Sequence, residues 1–384
     1  MFSKLRVALS ALAVVVSAFA SESPAPRVTT LRVPDNGIQP QVVLRDGVLH
    51  LIYLTGAPEK ADIIYRQSKD YGQTFSKPLQ VNTKEFAMAI GNIRGPQLAI
   101  GRNGRAHVAW NGVNAQNRMP MFYSRLNDSG TSFEPERNLI NTAWGLDGGG
   151  ALAADPQGNV FAFWHAPMPG TKGEENRRVW LAKSANDGTT FEPEHIAFEN
   201  PVGACGCCGM KAWADADGAV YAMFRSADQI VNRDIWLLTS KDHGRTFQGS
   251  NTSHWNIGAC VMSSESLTPG PNGVLAAWET EKQAWFGLIE KDSTKVTNPI
   301  AAPITAADGQ PGNRKHPVAV ANKNGDTLFT WTEGMAWKKP GTISWQLYNA
   351  KGKAISSVST TDGVPAWSLI AAFAKPDGSF VVVY

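Results

Sequence analysis

Ser68-Lys69-Asp70-Tyr71-Gly72-Gln73-Thr74-Phe75 is a turn motif that recurs along the chain in the pattern Ser-x-Asp-x-Gly-x-Thr-Phe. Its Asp side chain can accept hydrogen bonds from nearby backbone N–H groups, its Gly tolerates positive φ, and Thr-Phe begins a strand. The pattern is complete again at Ser240–Phe247, has Asn for Asp at Ser184–Phe191, and lacks only the leading Ser at Asp128–Phe133. Four such motifs indicate a repeated β structure.

A second repeat surrounds these motifs and consists of an apolar strand, a turn ending in Gly, and another apolar strand. Asp46-Gly47 and Asn103-Gly104 are typical of tight hairpin turns, because the central turn positions favour positive φ. Seven turn glycines stand 52 to 60 residues apart, at Gly47, Gly104, Gly158, Gly218, Gly273, Gly325 and Gly378. Seven hairpins of this kind predict an all-β protein built from repeated units.

Both repeats resemble the Asp-box, or BNR, repeats of the sialidase-like β-propellers, and the resemblance covers nearly all of residues 21–384. It implies a single domain of four-stranded blades, in which each Asp-box links the third and fourth strands. Seven hairpins favour seven blades, and six, as in the sialidases of this family, is the alternative. The last hairpin lacks an outer strand, and Val28–Val33 is expected to supply it and so to protect a sheet edge.

The first 20 residues have the pattern of a secretory signal peptide. Lys4 and Arg6 precede an apolar run at Val7–Phe19, and Ala18-Phe19-Ala20 is a small-x-small cleavage site before Ser21. No later segment is long enough for a membrane-spanning helix. We therefore expect a periplasmic or secreted protein, in a compartment where thiols can be oxidised.

The net charge of the chain indicates which classes of partner to expect. The formal net charge is only +3, and no basic run is present. This argues against a nucleic acid or a membrane surface as partner. A small molecule or a glycan is the expected ligand, and the sequence carries no signal for the oligomeric state.

The repeat also predicts which residues share the ligand-facing rim of the propeller. In a blade, the segment entering the first strand and the loop leaving the second lie on the same face, around the central channel. Ten residues before the turn glycines stand Gly37, Arg94, Gly148, Cys208, Ser263, Lys315 and Ser368. Directly after the aromatic that ends the second strand stand Asn111, His165, Arg225, Glu279 and Thr332. We expect Asn111, His165, Arg314, Lys315 and His316 to contact the ligand.

The resemblance implies a possible catalytic set on this rim. Ile93-Arg94-Gly95-Pro96 is similar to the Arg-x-Pro element with which sialidases bind the sugar carboxylate, and guanidinium groups suit carboxylates. Arg94 and Arg225 would then bind an anion, and Glu279 would be the carboxylate at the reacting centre. No tyrosine occupies a plausible nucleophile position, so glycoside hydrolysis and simple glycan binding both stay open.

The four cysteines are the remaining signal. Cys205, Cys207 and Cys208 are clustered, and Cys205 and Cys260 both stand thirteen residues before their turn glycines. All four are therefore predicted to meet in one sector of the rim. One interpretation is a disulfide from Cys260 to Cys205 or Cys208 that cross-links the fourth and fifth units.

Two functional interpretations of the same cysteines stay open beside that disulfide. Clustered thiolates favour copper or zinc, and Met210 and Met262 add thioethers nearby. Alternatively, the cysteines carry out thiol–disulfide chemistry. The sequence therefore predicts a glycan-binding or glycan-hydrolysing propeller, with a copper-handling or thiol-redox protein and a non-catalytic protein-binding propeller as alternatives.

Overall fold

The computed structural model of the chain describes residues 26–56, 61–83, 95–112, 119–305, 309, 312–336 and 338–384. These residues form seven β-sheets, each of which is one blade of a propeller. The predicted seven blades are thus confirmed, and six is excluded. The predicted signal peptide, over residues 1–20, and Arg94 lie outside the described residues.

Six blades are antiparallel sheets of four strands in chain order. Blades 1 to 3 consist of β2–β5 (Ile38–Arg45, Val48–Thr55, Asp62–Ser68, Leu79–Gln80), β6–β9 (Gln97–Ile100, Ala106–Asn111, Met121–Arg125, Arg137–Asn138) and β10–β13 (Ala151–Ala154, Val160–Pro167, Arg177–Ser184, His195–Ile196). Blades 4 to 6 consist of β14–β17 (Lys211–Ala214, Val220–Arg225, Ile235–Ser240, Gln248–Ser253), β18–β21 (Ser266–Gly270, Gly273–Thr280, Gln283–Glu290, Thr297–Ala301) and β22–β25 (Arg314–Ala321, Thr327–Glu333, Gly341–Tyr348, Ser359–Val364).

Blade 7 closes the ring with a strand from the other end of the chain. Its inner strands are β26 (Ala371–Ala374) and β27 (Phe380–Val383), and β1 (Val28–Leu31) pairs with β27 in parallel. This blade has three strands, and its outer strand falls within the predicted segment Val28–Val33. The pairing covers the edge of β27, as the prediction required.

Helical structure is confined, in the part of the chain described, to 3₁₀ turns at Pro34–Asn36 and Arg102–Gly104. None of these helices has the length and apolar character that crossing a bilayer requires. The hairpin turns have the expected backbone, since Asp46 has φ 50° and Gly47 has φ 77°.

The aromatic residues that end the second strands fill the space between blades. Trp164 is fully buried and belongs to a core cluster with Ala109 and Met121 of the preceding blade. Trp110 packs in the same way with Ile52 and Ile63. Burial of such large apolar surfaces at every blade boundary holds the ring together.

The Asp-box turns are held by their acidic side chain. Asp242 accepts hydrogen bonds from the Thr246 backbone N–H (2.9 Å), the Thr246 hydroxyl (2.6 Å) and the Ser240 hydroxyl (2.7 Å). Although its slight burial acts in the opposite direction, these hydrogen bonds hold the pKa of Asp242 well below its usual range. The motif found in the sequence is therefore a local hydrogen-bonded unit, on the face opposite the cysteines.

Replacing Asp242 by alanine is expected to lower the free energy of unfolding by about 1–2 kcal/mol at pH 7, because hydrogen bonds to a charged acceptor are lost. Since the folded pKa is depressed, this contribution is present above the unfolded pKa of about 4 and is lost as pH falls through the folded value. Urea unfolding at pH 7 and pH 3 measures both effects. Asp242→Asn is the control and should keep most of the stability. Asn186, which occupies the same position in another Asp-box, accepts a hydrogen bond from the Thr190 N–H at 2.9 Å. An equal loss in both variants would contradict this account.

Candidate functional site

The cysteines meet on one face, as the repeat register predicted. Cys205, Cys207 and Cys208 lie in the loop that enters β14, and Cys260 lies in the corresponding loop that enters β18. The sulfur of Cys205 is 3.3 Å from that of Cys207 and 3.4 Å from that of Cys208. The cluster therefore joins the entry loops of blades 4 and 5.

The disulfide links Cys207 to Cys260, with a Cα–Cα distance of 6.2 Å. The predicted pairing of Cys260 with Cys205 or Cys208 is therefore wrong, although the predicted cross-link between the two blades is present. Register aligned the backbone of Cys205 with that of Cys260. Side-chain direction decided the pairing, because Cys205 and Cys208 point inward and are 1% exposed, whereas Cys260 is exposed.

A metal ion at this cluster depends on the redox state of Cys207. The sulfurs of Cys205, Cys207 and Cys208 lie within 4.8 Å of one another, close enough to share one ion. In the disulfide state, however, only Cys205 and Cys208 retain thiols. Two thiols are fewer than the three or four protein ligands of zinc sites. The predicted copper or zinc site over all four cysteines would therefore need the disulfide to be reduced.

Two residues that the sequence did not point to hold the cysteine loop. Glu174 accepts a hydrogen bond from the Gly206 N–H and forms an ion pair with Arg233 at 2.7 Å. The Glu174 carbonyl also accepts from the Ala204 N–H at 3.0 Å. Both residues lie in loops whose course the repeat does not set, so no sequence signal placed them here.

A buried ionic cluster lies beneath the cysteines and contains two of the predicted catalytic residues. Arg225 is 1% exposed and donates hydrogen bonds to the carbonyls of Arg233 (2.8 Å) and Glu279 (2.6 Å). Its guanidinium also lies 5.3 Å from the ring centre of Trp255. Glu279 is equally buried, with a carboxylate oxygen 3.6 Å from Lys315 Nζ. The structure thus brings Arg225, Glu279 and Lys315 together, in the interior.

Glu265 completes this cluster and also borders the channel. Burial, foremost, and the neighbouring Cys208 raise its pKa well above the usual range, although Arg225 acts against this. Neither carboxyl oxygen of Glu265 has a hydrogen-bond partner among the described residues. Burial therefore favours the uncharged, protonated form of Glu265. No sequence pattern singled it out.

The remaining predicted ligand-binding residues lie in separate places. Asn111 donates to the carbonyls of Asp147 (3.1 Å) and Gly148 (3.3 Å), and His165 Nδ1 contacts Arg177 at 3.3 Å. These side chains lie on blades 2 and 3, on the side of the cysteine loop that is remote from blade 6.

On blade 6, Arg314 and His316 are both buried. Arg314 forms an ion pair with Glu333 at 3.0 Å and donates to Gln283 at 2.7 Å. His316 Nδ1 is hydrogen-bonded to Ser264 at 2.8 Å, and burial, with the nearby charge of Lys315, lowers the pKa of His316 to about 3. Their roles as ligand contacts stay predictions, as does the role of Arg94.

The central channel has a volume of about 440 Å³ and opens beside the cysteine loop. The chain runs from Cys208 through Gly209 and Met210 to Lys211, the first residue of β14, which faces the channel. Lys211 Nζ donates to Gln41 Oε1 at 2.6 Å and to Gln97 Oε1 at 3.2 Å, across the channel on blades 1 and 2. Burial lowers the pKa of Lys211 to about 8. The signal that could have identified it was a lysine at the start of an inner strand whose other residues, Ala212, Trp213 and Ala214, are uncharged.

Comparison with known proteins agrees with the fold. A protein of unknown function from Dyadobacter fermentans superposes with a TM-score of 0.54 at 15% identity, over 85% of this chain and 98% of that one. The Penicillium chrysogenum α-L-arabinanase superposes with a TM-score of 0.49 at 11% identity, over 88% of this chain and 98% of that one. A Hadza microbial sialidase, Hz136, superposes with a TM-score of 0.45 at 14% identity, over 82% of this chain and 70% of that one.

Sequence comparison adds nothing to this, since neither a protein-family model nor a curated protein matches the chain. The superposition on the Dyadobacter fermentans protein, at a TM-score of 0.54 and 15% identity, supports a common fold and leaves the activity open. The predicted resemblance to sialidase-like propellers is confirmed at the level of the seven-bladed architecture.

Proposed function

We propose that this protein binds a small, hydroxylated anion of the acidic-sugar class at the cysteine-side mouth of its central channel. The observation that carries the proposal is the ammonium group of Lys211, which lies inside the channel and is hydrogen-bonded to the neutral amides of Gln41 and Gln97. A cation whose hydrogen bonds go to neutral groups is a suitable partner for a ligand carboxylate.

The groups around Lys211 suit the rest of such a ligand. Gln41 and Gln97 each offer an amide N–H₂ as donor to a sugar hydroxyl, while their carbonyls hold Lys211. In its protonated form, which burial favours, Glu265 can donate a further hydrogen bond from the channel wall. A few polar groups converging in an otherwise apolar cavity are typical of small-molecule sites.

Binding is proposed rather than hydrolysis because of where the predicted catalytic residues lie. Arg225 donates to two backbone carbonyls, and Glu279 is buried beneath the cysteine loop. Neither side chain faces the channel mouth in this arrangement. The sialidases and arabinanases that share the fold act on sugars by their names, which supports a sugar as ligand class but not the reaction. We also propose that the protein acts outside the cytoplasm, which N-terminal sequencing of the mature protein would test.

Calorimetric titration with glucuronate, galacturonate and N-acetylneuraminate, with glucose as the uncharged reference, tests the proposal. We expect at least one acid to bind more than tenfold more tightly than glucose. Lys211→Met should weaken that binding by about 10- to 100-fold, because a charge-assisted hydrogen bond is lost. Lys353→Met, at an exposed lysine, is the matched control and should bind like the wild type.

The pH dependence gives a second readout. Since the pKa of Lys211 is about 8 in the free protein, affinity should fall by about tenfold between pH 7 and pH 9. A lysine with an ordinary pKa of about 10.4 would keep its charge over this range. Absence of binding by all three acids, or equal affinity in Lys211→Met, would overturn the proposal.

A further inference from the structure

The cysteine cluster is arranged in two layers. Cys260 is exposed and Cys207 is half-buried, so their disulfide lies at the surface of the rim. Cys205 and Cys208 lie directly beneath it, and each is 1% exposed. An oxidised surface pair thus covers a buried dithiol.

Cys205 is placed to attack the disulfide. Its sulfur lies 3.3 Å from Cys207 Sγ, and the loop that holds it is anchored through the Cys205 N–H to the Arg225 carbonyl at 2.9 Å. Thiol–disulfide exchange requires a thiolate within reach of a disulfide sulfur and an accessible leaving group. Cys260, as the exposed partner, is that leaving group.

The two buried thiols differ in acidity. The pKa of Cys205 is lowered, chiefly by its hydrogen bond with Cys208 and also by the charge of Arg233, against burial and Glu174. The pKa of Cys208 is raised well above its usual range by burial and by that same neighbour. When both groups are thiols, Cys205 donates the 3.4 Å hydrogen bond to Cys208. Once Cys205 has ionised, Cys208 is the donor, and its hydrogen bond stabilises the Cys205 thiolate. Cys205 is therefore the nucleophile.

We propose that these four cysteines form a disulfide relay, in which the disulfide moves from the surface pair, Cys207 and Cys260, to the buried pair, Cys205 and Cys208. First, the Cys205 thiolate attacks Cys207 Sγ. The Cys205–Cys207 bond forms, the Cys207–Cys260 bond breaks, and Cys260 leaves as a thiolate. Cys208 then transfers its proton to the Cys260 thiolate through solvent and attacks Cys205 Sγ. The Cys205–Cys208 bond forms, and Cys207 leaves as a thiolate.

The relay needs no outside oxidant or reductant, because one disulfide and two thiols are present before and after. The first step also prepares the second. While Cys205 is a thiolate, its charge opposes ionisation of Cys208, and incorporation of Cys205 into a disulfide removes that charge. Arg225 favours the Cys208 thiolate throughout.

The outcome is a surface dithiol and an opened cross-link at the channel mouth. Cys207 and Cys260 would be free to take a soft metal ion or a thiol-reactive partner, with Cys260 already exposed. The entry loops of blades 4 and 5 would remain joined through the Gly209 N–H and the Ser263 carbonyl, at 2.9 Å. The proposal does not depend on a sugar binding in the channel.

Disulfide mapping tests the relay. The purified, unreduced protein is incubated from pH 6 to 9, quenched with acid, alkylated and analysed by peptide mass spectrometry. We expect Cys205–Cys208 to accumulate in the wild type, faster at higher pH, and N-ethylmaleimide to label Cys207 and Cys260 in the native protein. Cys208→Ser should stop at Cys205–Cys207, and Cys205→Ser should retain only Cys207–Cys260.

The wild type alone can overturn the proposal, even where a variant fails to fold. Detection of Cys207–Cys260 as the sole disulfide at every pH and time would do so. If the Cys205–Cys208 disulfide formed in the wild type at a rate independent of pH, this would also contradict attack by a thiolate.

Discussion

Replacing Arg225 by methionine is expected to lower the free energy of unfolding by about 3–5 kcal/mol, which is the usual effect of removing one member of a buried ionic group. Arg225 is 1% exposed, and its hydrogen bonds join the Arg233 carbonyl of its own blade to the Glu279 carbonyl of blade 5. The variant loses both bonds and the contact with the Trp255 ring.

Removal of the positive charge of Arg225 adds to this loss of stability. Burial opposes the charge of Arg225, but Cys208, Glu265 and Glu279 surround it and raise its pKa overall. Without the guanidinium, the cation paired with Glu279 among the described residues is Lys315, at 3.6 Å. A buried carboxylate with so little compensation lowers the stability of the fold, because its desolvation is costly. Methionine fills much of the space but supplies neither charge nor donors.

Chemical denaturation at pH 7 measures the loss, and Glu265→Gln is the matched control. Because burial favours the uncharged form of Glu265, an amide of the same shape should change the free energy of unfolding by less than about 1 kcal/mol. A stable Arg225→Met protein, within about 1 kcal/mol of the wild type, would show that the arginine is not a structural residue. That result would return it to the role of a ligand contact.

Replacing Cys260 by serine is expected to cost about 4 kcal/mol of stability, through the unfolded state. The disulfide spans 53 residues, and a cross-link over a loop of this length removes much of the conformational freedom of the unfolded chain. It also joins two consecutive blades, so its loss acts on the interface where Arg225 lies. The folded contacts themselves change little, because Cys260 is exposed.

Thermal and urea unfolding with and without reductant separate this effect from others. In freshly prepared protein that still carries the Cys207–Cys260 bond, reductant should destabilise the wild type by the same amount and leave Cys260→Ser unchanged. Cys205→Ala, which keeps the Cys207–Cys260 bond, is the control and should lose only about 1 kcal/mol from packing. Equal stability of Cys260→Ser and the wild type under oxidising conditions would show that the disulfide does not hold the fold.

The sequence alone determined the architecture. Asp-Gly and Asn-Gly turns, Asp-boxes and buried aromatics act through local backbone conformation or through a position repeated in every blade, so the pattern of residues is enough to count seven units. The same register showed that Cys205, Cys207, Cys208 and Cys260 meet on one face. It also showed that Val28–Val33 would close the last blade, because an unpaired strand edge needs a partner.

Only the tertiary structure decided what these positions do. A repeat locates the backbone of a residue, whereas side-chain direction and burial depend on neighbours about 50 residues away. For that reason Cys207, and not Cys205 or Cys208, bonds to Cys260, and Arg225 points into the interior rather than to the rim. Lys211 and Glu265 carry no motif, yet their packing against the channel places an ammonium with a lowered pKa and a carboxyl with a raised pKa beside the cysteines, because burial disfavours charge.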